Sequence, residues 1–243
     1  MARSHPASKK PRTTTKRQVT ADEFDESFQP TPKKRRPLEP IEAKTLAQTR
    51  YINAIHSHQL TFATGPAGVG KTWLCAALAA EALEGGLTEK IIVTRPAVEA
   101  GESMGFLPGT LDEKFDPYLL PFREVLNERL GKTKVDYLIK TGVIEAAPLA
   151  YMRGRTFRNA WVILDEAQNV TVTHMKMFLT RIGNDSTAIV NGDERQKDIP
   201  GPSGLTDAIS RLTWIPQVAV VEFSMSDIVR SGLCQDIVSS YEK

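Results

Sequence analysis

Cysteine is nearly absent from this 243-residue chain, with only Cys75 and Cys234. Two thiols exclude a disulfide framework and a Cys-based zinc site. Histidine is almost as scarce, and His5, His56, His58 and His174 show no metal-ligand spacing. No apolar run approaches the ~20 residues that a membrane span requires. The N-terminus is basic, but no apolar stretch follows it, so no secretory signal is expected. Together these absences favour a soluble protein of a reducing compartment and no membrane partner.

Net charge is also small, 31 Lys+Arg against 29 Asp+Glu, but it is unevenly placed. Residues 1–40 hold ten Lys/Arg and five Asp/Glu, a net +5, and six of the 15 prolines. The remaining 203 residues carry 21 and 24, a net −3. The first forty include the clusters Lys9-Lys10-Pro11-Arg12 and Lys33-Lys34-Arg35-Arg36 but no long apolar run. Such a segment cannot bury enough apolar surface to offset its ordering entropy, so residues 1–40 are expected to be a disordered basic tail. Two readings of it stand side by side: a non-specific grip on a phosphate backbone, and a solubilising arm. The other 203 residues suit a single domain, and 41% apolar content in the whole chain supports a sizeable core.

Within residues 41–243 short apolar runs alternate with helical patterns. The runs at 60–64, 91–94, 143–147, 162–164, 187–190 and 218–223 have strand character. Helical spacing covers 41–58, 72–83, 117–130, 134–140, 172–182 and 204–212. Alternation of this kind, with several strands apolar on both faces, predicts an α/β fold with a mostly parallel sheet flanked by helices.

The first strand runs into Gly65-Pro66-Ala67-Gly68-Val69-Gly70-Lys71-Thr72, and an Ala/Leu-rich helix follows. Glycines at these spacings let the backbone wrap and aim its N–H groups at phosphate oxygens. The helix presents its positive N-terminal end to the same anion. Lys71 is then a cation for the β- and γ-phosphates, and the Thr72 hydroxyl a Mg²⁺ ligand. The competing structural reading, an ordinary glycine-rich turn, does not explain the strand–loop–helix context. Residues 65–72 and the adjoining Trp73 are therefore the expected nucleotide-binding set.

A second signal is Trp161-Val162-Ile163-Leu164-Asp165-Glu166, an apolar strand ending in two carboxylates. In an open parallel sheet ligands sit beyond the carboxyl ends of the strands, which brings this pair to the cradle. Asp165 suits the Mg²⁺ shell, and Glu166 suits polarisation of an attacking water. Taken alone, the pair could be an N-cap for the next helix, but with the cradle upstream the metal and base reading is favoured. A third strand end, Gly192-Asp193-Glu194-Arg195-Gln196, offers Gln196 or Asp193 as a reporter of that water. Its bland reading is a hydrophilic turn. Arg95, Arg153, Arg155 and Arg230 are the arginines with a candidate phosphate role.

These motifs together resemble the PhoH-like family of P-loop ATPases across nearly all of residues 41–243. The resemblance rests on GPAGVGKT at 65–72, TRPAVEAGESMGFLPG at 94–109 and PLAYMRGRTF at 148–157, followed by LDEAQN at 164–169, GDERQKDIP at 192–200 and the later DIVRSGL. The paired DEAQ and GD-x-x-Q strings are also similar to the ATPase half of superfamily 1 helicases. What the resemblance implies is a RecA-like core hydrolysing ATP with Mg²⁺ in the cytoplasm of a bacterium or of a phage's host. It further implies a link to RNA metabolism and phosphate starvation, and an assembly of six subunits. Gln48 falls where helicase-like proteins read adenine. Relatives commonly carry His after the arginine of DIVR, whereas this chain has Ser231. The tail offers no room for a PIN-type nuclease domain.

With one lobe, either the chain hydrolyses slowly alone or neighbouring subunits complete each site in a ring; in the ring, Arg230 is the first candidate for the inserted arginine, ahead of Arg155 and Arg153. The expected activity is thus ATP hydrolysis coupled to single-stranded nucleic acid, RNA first, with Lys71, Glu166, Gln196 and Arg230 as its catalytic residues. The rival is an ATP-dependent switch acting on a protein partner without nucleic acid. Glu166 and the GD-x-x-Q string argue against a small-molecule kinase.

Overall fold

The computed structural model describes Met1, residues 39–96 and 111–229, and residues 232 and 240, with the backbone alone for 111–118. Residues 2–38 of the basic tail, the string 97–109 of the second motif, Arg230 and Ser231 lie outside the described residues. The chain divides into two units, Met1–Leu38 and Glu39–Lys243. Every element named below belongs to the second.

In chain order these are α1 (Leu46–Ser57), β1 (Leu60–Thr64), α2 (Lys71–Glu84), β2 (Lys90–Arg95), α3 (Leu111–Leu130) and α4 (Lys132–Lys140). There follow β3 (Ile144–Pro148), β4 (Ala160–Leu164), α5 (Val172–Leu179), β5 (Thr187–Gly192), α6 (Gly204–Leu212) and β6 (Val218–Glu222). The six strands form one sheet in the order β3-β2-β4-β5-β1-β6, and every pair in it is parallel. Side chains alternate across it as the two-residue strand period requires. In β4, Trp161 and Ile163 join the core under α1–α4, while Val162 and Leu164 join the core under α5 and α6. Both faces are covered, which is why β4 reads as continuous apolar sequence.

Local chemistry sets the element ends. Helical spacing extends from residue 41, but α1 begins later, because the Thr45 side chain accepts the Gln48 N–H and caps the helix there. At the other end of the domain, α5 stops at Leu179, short of the expected residue 182. Beyond it the backbone turns to pair with the segment before β4: Phe157 N–H donates to Arg181 O (2.8 Å) and Gly183 N–H to Phe157 O (2.9 Å). The small residues Ala76, Ala77, Ala79, Ala80 and Ala82 of α2 are all buried, which lets that helix lie close against its neighbours. Arg129 of α3 is 5% exposed and ties down two elements, pairing with Glu81 of α2 and donating to Glu39 O (2.7 Å).

The position of β5 decides where the site forms. It lies between β1 and β4, in register with both. The carboxyl ends of β4, β5 and β1 therefore stand side by side, and each carries one of the three motifs. This is a RecA-like arrangement.

Candidate nucleotide-binding and hydrolysis site

The loop between β1 and α2 is braced from several directions. Gly65 has φ +136°, and its N–H donates to Gly192 O (3.2 Å). A Cβ there would collide with the Phe223 carbonyl oxygen and lie 2.7 Å from the Phe223 Cβ. Gly70 opens α2 at φ +90°, a left-handed conformation that glycine adopts without a Cβ penalty. Between them, Gly68 O accepts from Val229 N–H at 3.1 Å. Val69 O accepts from Gln48 Nε2 at 2.8 Å, and Gln48 Oε1 accepts from Lys44 N at 2.7 Å. A carbonyl on one side and an N–H on the other fix the orientation of that amide. Gln48 thus supports the loop from α1, at 3% exposure.

Lys71 folds back across its own loop, its ammonium donating to Gly65 O and to Pro66 O (2.9 Å). Burial lowers its pKa, and Asp193, Asp165 and Glu166 oppose that shift. A cation surrounded by three acids and two carbonyls is ready to exchange those partners for phosphate oxygens.

At the end of β4, Asp165 is buried, with 5% of its side chain exposed. Its Oδ1 lies 3.5 Å from the Thr72 hydroxyl, while its Oδ2 accepts from Arg95 Nε (3.2 Å) and from a terminal Arg95 nitrogen (2.5 Å). Burial raises the Asp165 pKa, and the Arg95 guanidinium pulls against it. Glu166 follows at φ +54°, an uncommon conformation outside glycine. Its Oε2 accepts from Gln168 Nε2 at 2.8 Å, and its side chain makes no helix-capping bond. The cap of α5 is Thr171 instead, whose hydroxyl accepts the His174 N–H. The reading of the acidic pair as a helix cap therefore falls.

At the end of β5, Asp193 accepts from Arg195 N–H (3.1 Å) and from Gln196 Nε2 (2.9 Å). Gln168 joins the two acidic strand ends. Its Nε2 holds Glu166, its Oε1 accepts the Asp193 N–H (3.0 Å), and its own carbonyl accepts from Ser203 Oγ (2.9 Å). The loop and the two acidic strand ends border one cavity of about 370 Å³, lined by residues 67–73, Asp165, Glu166, Gly192, Asp193 and Gln196. A second cavity of about 450 Å³ adjoins it, shares Gly70 and Trp73, and is bordered by Gln48, Arg129 and Val229.

The structure therefore brings Lys71, Thr72, Trp73, Asp165, Glu166 and Gln196 to one cavity, with Gln48 behind the loop and beside the second. Arg155 is held elsewhere, in a bidentate pair with Glu145. Arg153 is exposed on the adjoining loop, and Arg230 lies outside the described residues. Three features had no warning in spacing or composition. Gln168 was visible only as part of the LDEAQN string. The Arg95–Asp165 pair needs the register of β2 on β4. The Tyr51–Asn191–Cys75 network behind the loop joins residues far apart in sequence.

The donor set fits a magnesium–nucleotide. Among the described residues no group of three or more His, Cys, Asp or Glu could hold a metal by itself. Magnesium on a nucleotide needs only one or two protein oxygens, because phosphates and waters supply the rest. Thr72 and Asp165 offer a hydroxyl and a carboxylate side by side. No helix among the described residues is long and apolar enough to cross a membrane.

A model of the family described as "PhoH-like protein" matches residues 40–242. The chain belongs to the PhoH-like family. This is a family of P-loop ATPases. Among its relatives, Protein PhoH of Escherichia coli K12 is 53% identical over 210 residues, covering 85% of this chain and 59% of that protein. The PhoH-like protein of Bacillus subtilis 168 is 50% identical over 205 residues, 84% of this chain and 64% of its own length. That of Synechocystis PCC 6803 is also 50% identical over 205 residues, covering 84% and 62%. The chain thus spans about three-fifths of the length of the curated relatives it matches. The matched PhoH-like region contains every motif that borders the cavity.

Proposed function

We propose that this protein hydrolyses ATP with Mg²⁺ and couples hydrolysis to binding or remodelling of single-stranded nucleic acid, RNA before DNA, as a helicase-like ATPase of the cytoplasm. One observation carries the hydrolytic part of the reading: the three strand-end motifs meet at a single cavity because β5 lies between β1 and β4. The loop N–H groups, the α2 N-terminus and Lys71 hold the phosphates. Magnesium, when bound with the nucleotide, neutralises phosphate charge, and Thr72 and Asp165 are the residues to hold it. Glu166 is the water-activating carboxylate. Gln196 stands at the adjacent strand end, where it can orient the same water. The cavity beside Trp73 and Gln48 suits the base.

Water reaching the γ-phosphate would weaken each electrostatic contribution at the site. The reading therefore includes a ring of six copies in which a neighbour's arginine, Arg230 first, covers the γ-phosphate. The basic residues 1–40 supply phosphate-backbone grip. The deciding experiment measures ATP hydrolysis by the full chain with and without single-stranded RNA or DNA, at two salt concentrations. Stimulation that weakens with salt is the expected result. Hydrolysis indifferent to both nucleic acids would replace this reading with an ATP-dependent switch acting on a protein partner.

A further inference from the structure

Asp165 is held asymmetrically. Two nitrogens of Arg95 converge on Oδ2, while Oδ1 faces the Thr72 hydroxyl. A buried carboxylate turns freely about its last side-chain torsion unless a partner locks it. The guanidinium fork provides that lock, because two donors on one rigid plane fix an angle as well as a distance. Arg95 is positioned in its turn by two features. The β2–β4 register pairs Thr94 with Leu164, and Thr94 O accepts the Asp165 N–H at 3.0 Å, so Arg95 and Asp165 follow as neighbours on adjacent strands. A one-residue slip would send Arg95 to the opposite face of the sheet. Phe122 of α3 backs the guanidinium, its ring centroid 5.7 Å from the Arg95 Cζ.

We propose that Arg95 is a positioning residue for the divalent cation: by anchoring Asp165 Oδ2 it directs Oδ1 toward Thr72, presenting the carboxylate oxygen that a magnesium–nucleotide meets. This rests on the nucleotide-binding reading above. It assigns Arg95 a task distinct from that of Lys71. Lys71 meets phosphate whether or not metal is present, whereas Arg95 acts only on the metal-dependent part of binding.

The test follows a fluorescent ATP analogue binding to the full chain, first in EDTA and then across a Mg²⁺ titration. Arg95→Met should bind the analogue in EDTA within about twofold of the unmodified protein. Its Mg²⁺ requirement should rise about 10- to 100-fold, the usual effect of losing a partner that orients a metal ligand. Arg95→Lys keeps the charge but loses the fork, and should remain several-fold impaired. Phe122→Leu should shift the requirement in the same direction by less. An unchanged Mg²⁺ requirement in Arg95→Met overturns the proposal. A lowered one does too, because it would mean that Arg95 competes with the cation. Full restoration by lysine would show that charge alone matters, and equally defeats it. Should Arg95→Met not fold, Arg95→Lys carries the decision alone. No binding by the unmodified protein, in EDTA or Mg²⁺, would instead reject the nucleotide reading itself.

Discussion

Removing a single oxygen atom behind the phosphate loop should lower stability measurably. Tyr51 of α1 is fully buried, and its hydroxyl donates to Asn191 Oδ1 on β5 at 2.6 Å. Burial raises the pKa of this phenol well above its usual value, so it remains a donor at any working pH. Asn191 Nδ2 reaches Cys75 Sγ of α2 at 3.3 Å, and the thiol donates to Thr72 O at 3.3 Å. The chain of bonds thus runs from α1 through the central strand to the first turn of the phosphate-binding helix. Tyr51→Phe keeps the ring and its edge-to-face contact with Phe223, at 5.6 Å between centroids. What it removes is the donor, leaving a buried amide oxygen without its partner. That costs about 1–3 kcal/mol. For a domain of this size each kcal/mol moves the melting temperature by about 2–4 °C, so a central cost of ~2 kcal/mol predicts a fall of about 4–8 °C. Calorimetry of the two proteins in EDTA measures it directly. Adding Asn191→Leu to Tyr51→Phe should show coupling of ~0.5 kcal/mol or more, because the pair shares one bond. A melting temperature within 1 °C of the unmodified protein, with additive double-variant behaviour, would refute the claim that this buried hydrogen bond stabilises the fold.

Further predictions concern the cavity itself. Lys71→Ala should abolish binding of a fluorescent ATP analogue, whereas Glu166→Gln should keep binding and lose turnover by about 10²–10⁴-fold. The glutamine still offers an oxygen to Gln168 Nε2, so near-normal turnover in that variant would remove Glu166 from the water-activating role. Gly65→Ala combines an unfavourable φ with a collision against Phe223. It should cost about 1–3 kcal/mol from the backbone conformation alone, read as a lower melting temperature together with weakened nucleotide binding. Burial pushes the Cys75 thiol up to about 12, so it stays protonated, and its reaction with iodoacetamide at pH 8 should be negligible until the protein is unfolded. Mass spectrometry of the Cys75 peptide checks this, and rapid labelling of the native protein would contradict the buried network.

Much of this molecule was legible without coordinates, for reasons that are local. A strand buried on both faces must be apolar throughout, as 162–164 is, and a phosphate loop must place glycines where backbone N–H groups turn inward. The motif residues Lys71, Thr72, Asp165, Glu166 and Gln196 were therefore recognisable from spacing. The approximate limits of most of the twelve elements were legible too, but α3 begins at Leu111 rather than at the expected residue 117, and ends such as residue 45 or 179 are set by local hydrogen bonds. What sequence alone could not supply was strand order. Nothing local says that β5 inserts between β1 and β4, yet that insertion is what brings Gln196 to the cavity and places Gly192 O against Gly65. The same limit hid the uses of Arg95 and Gln168. An arginine becomes the partner of Asp165 only when two strands align in a particular register, and a glutamine becomes a junction only when two strand ends converge on it. Residue chemistry determined which groups could hold and hydrolyse a nucleotide, while the parallel pairing of distant strands decided which of them meet.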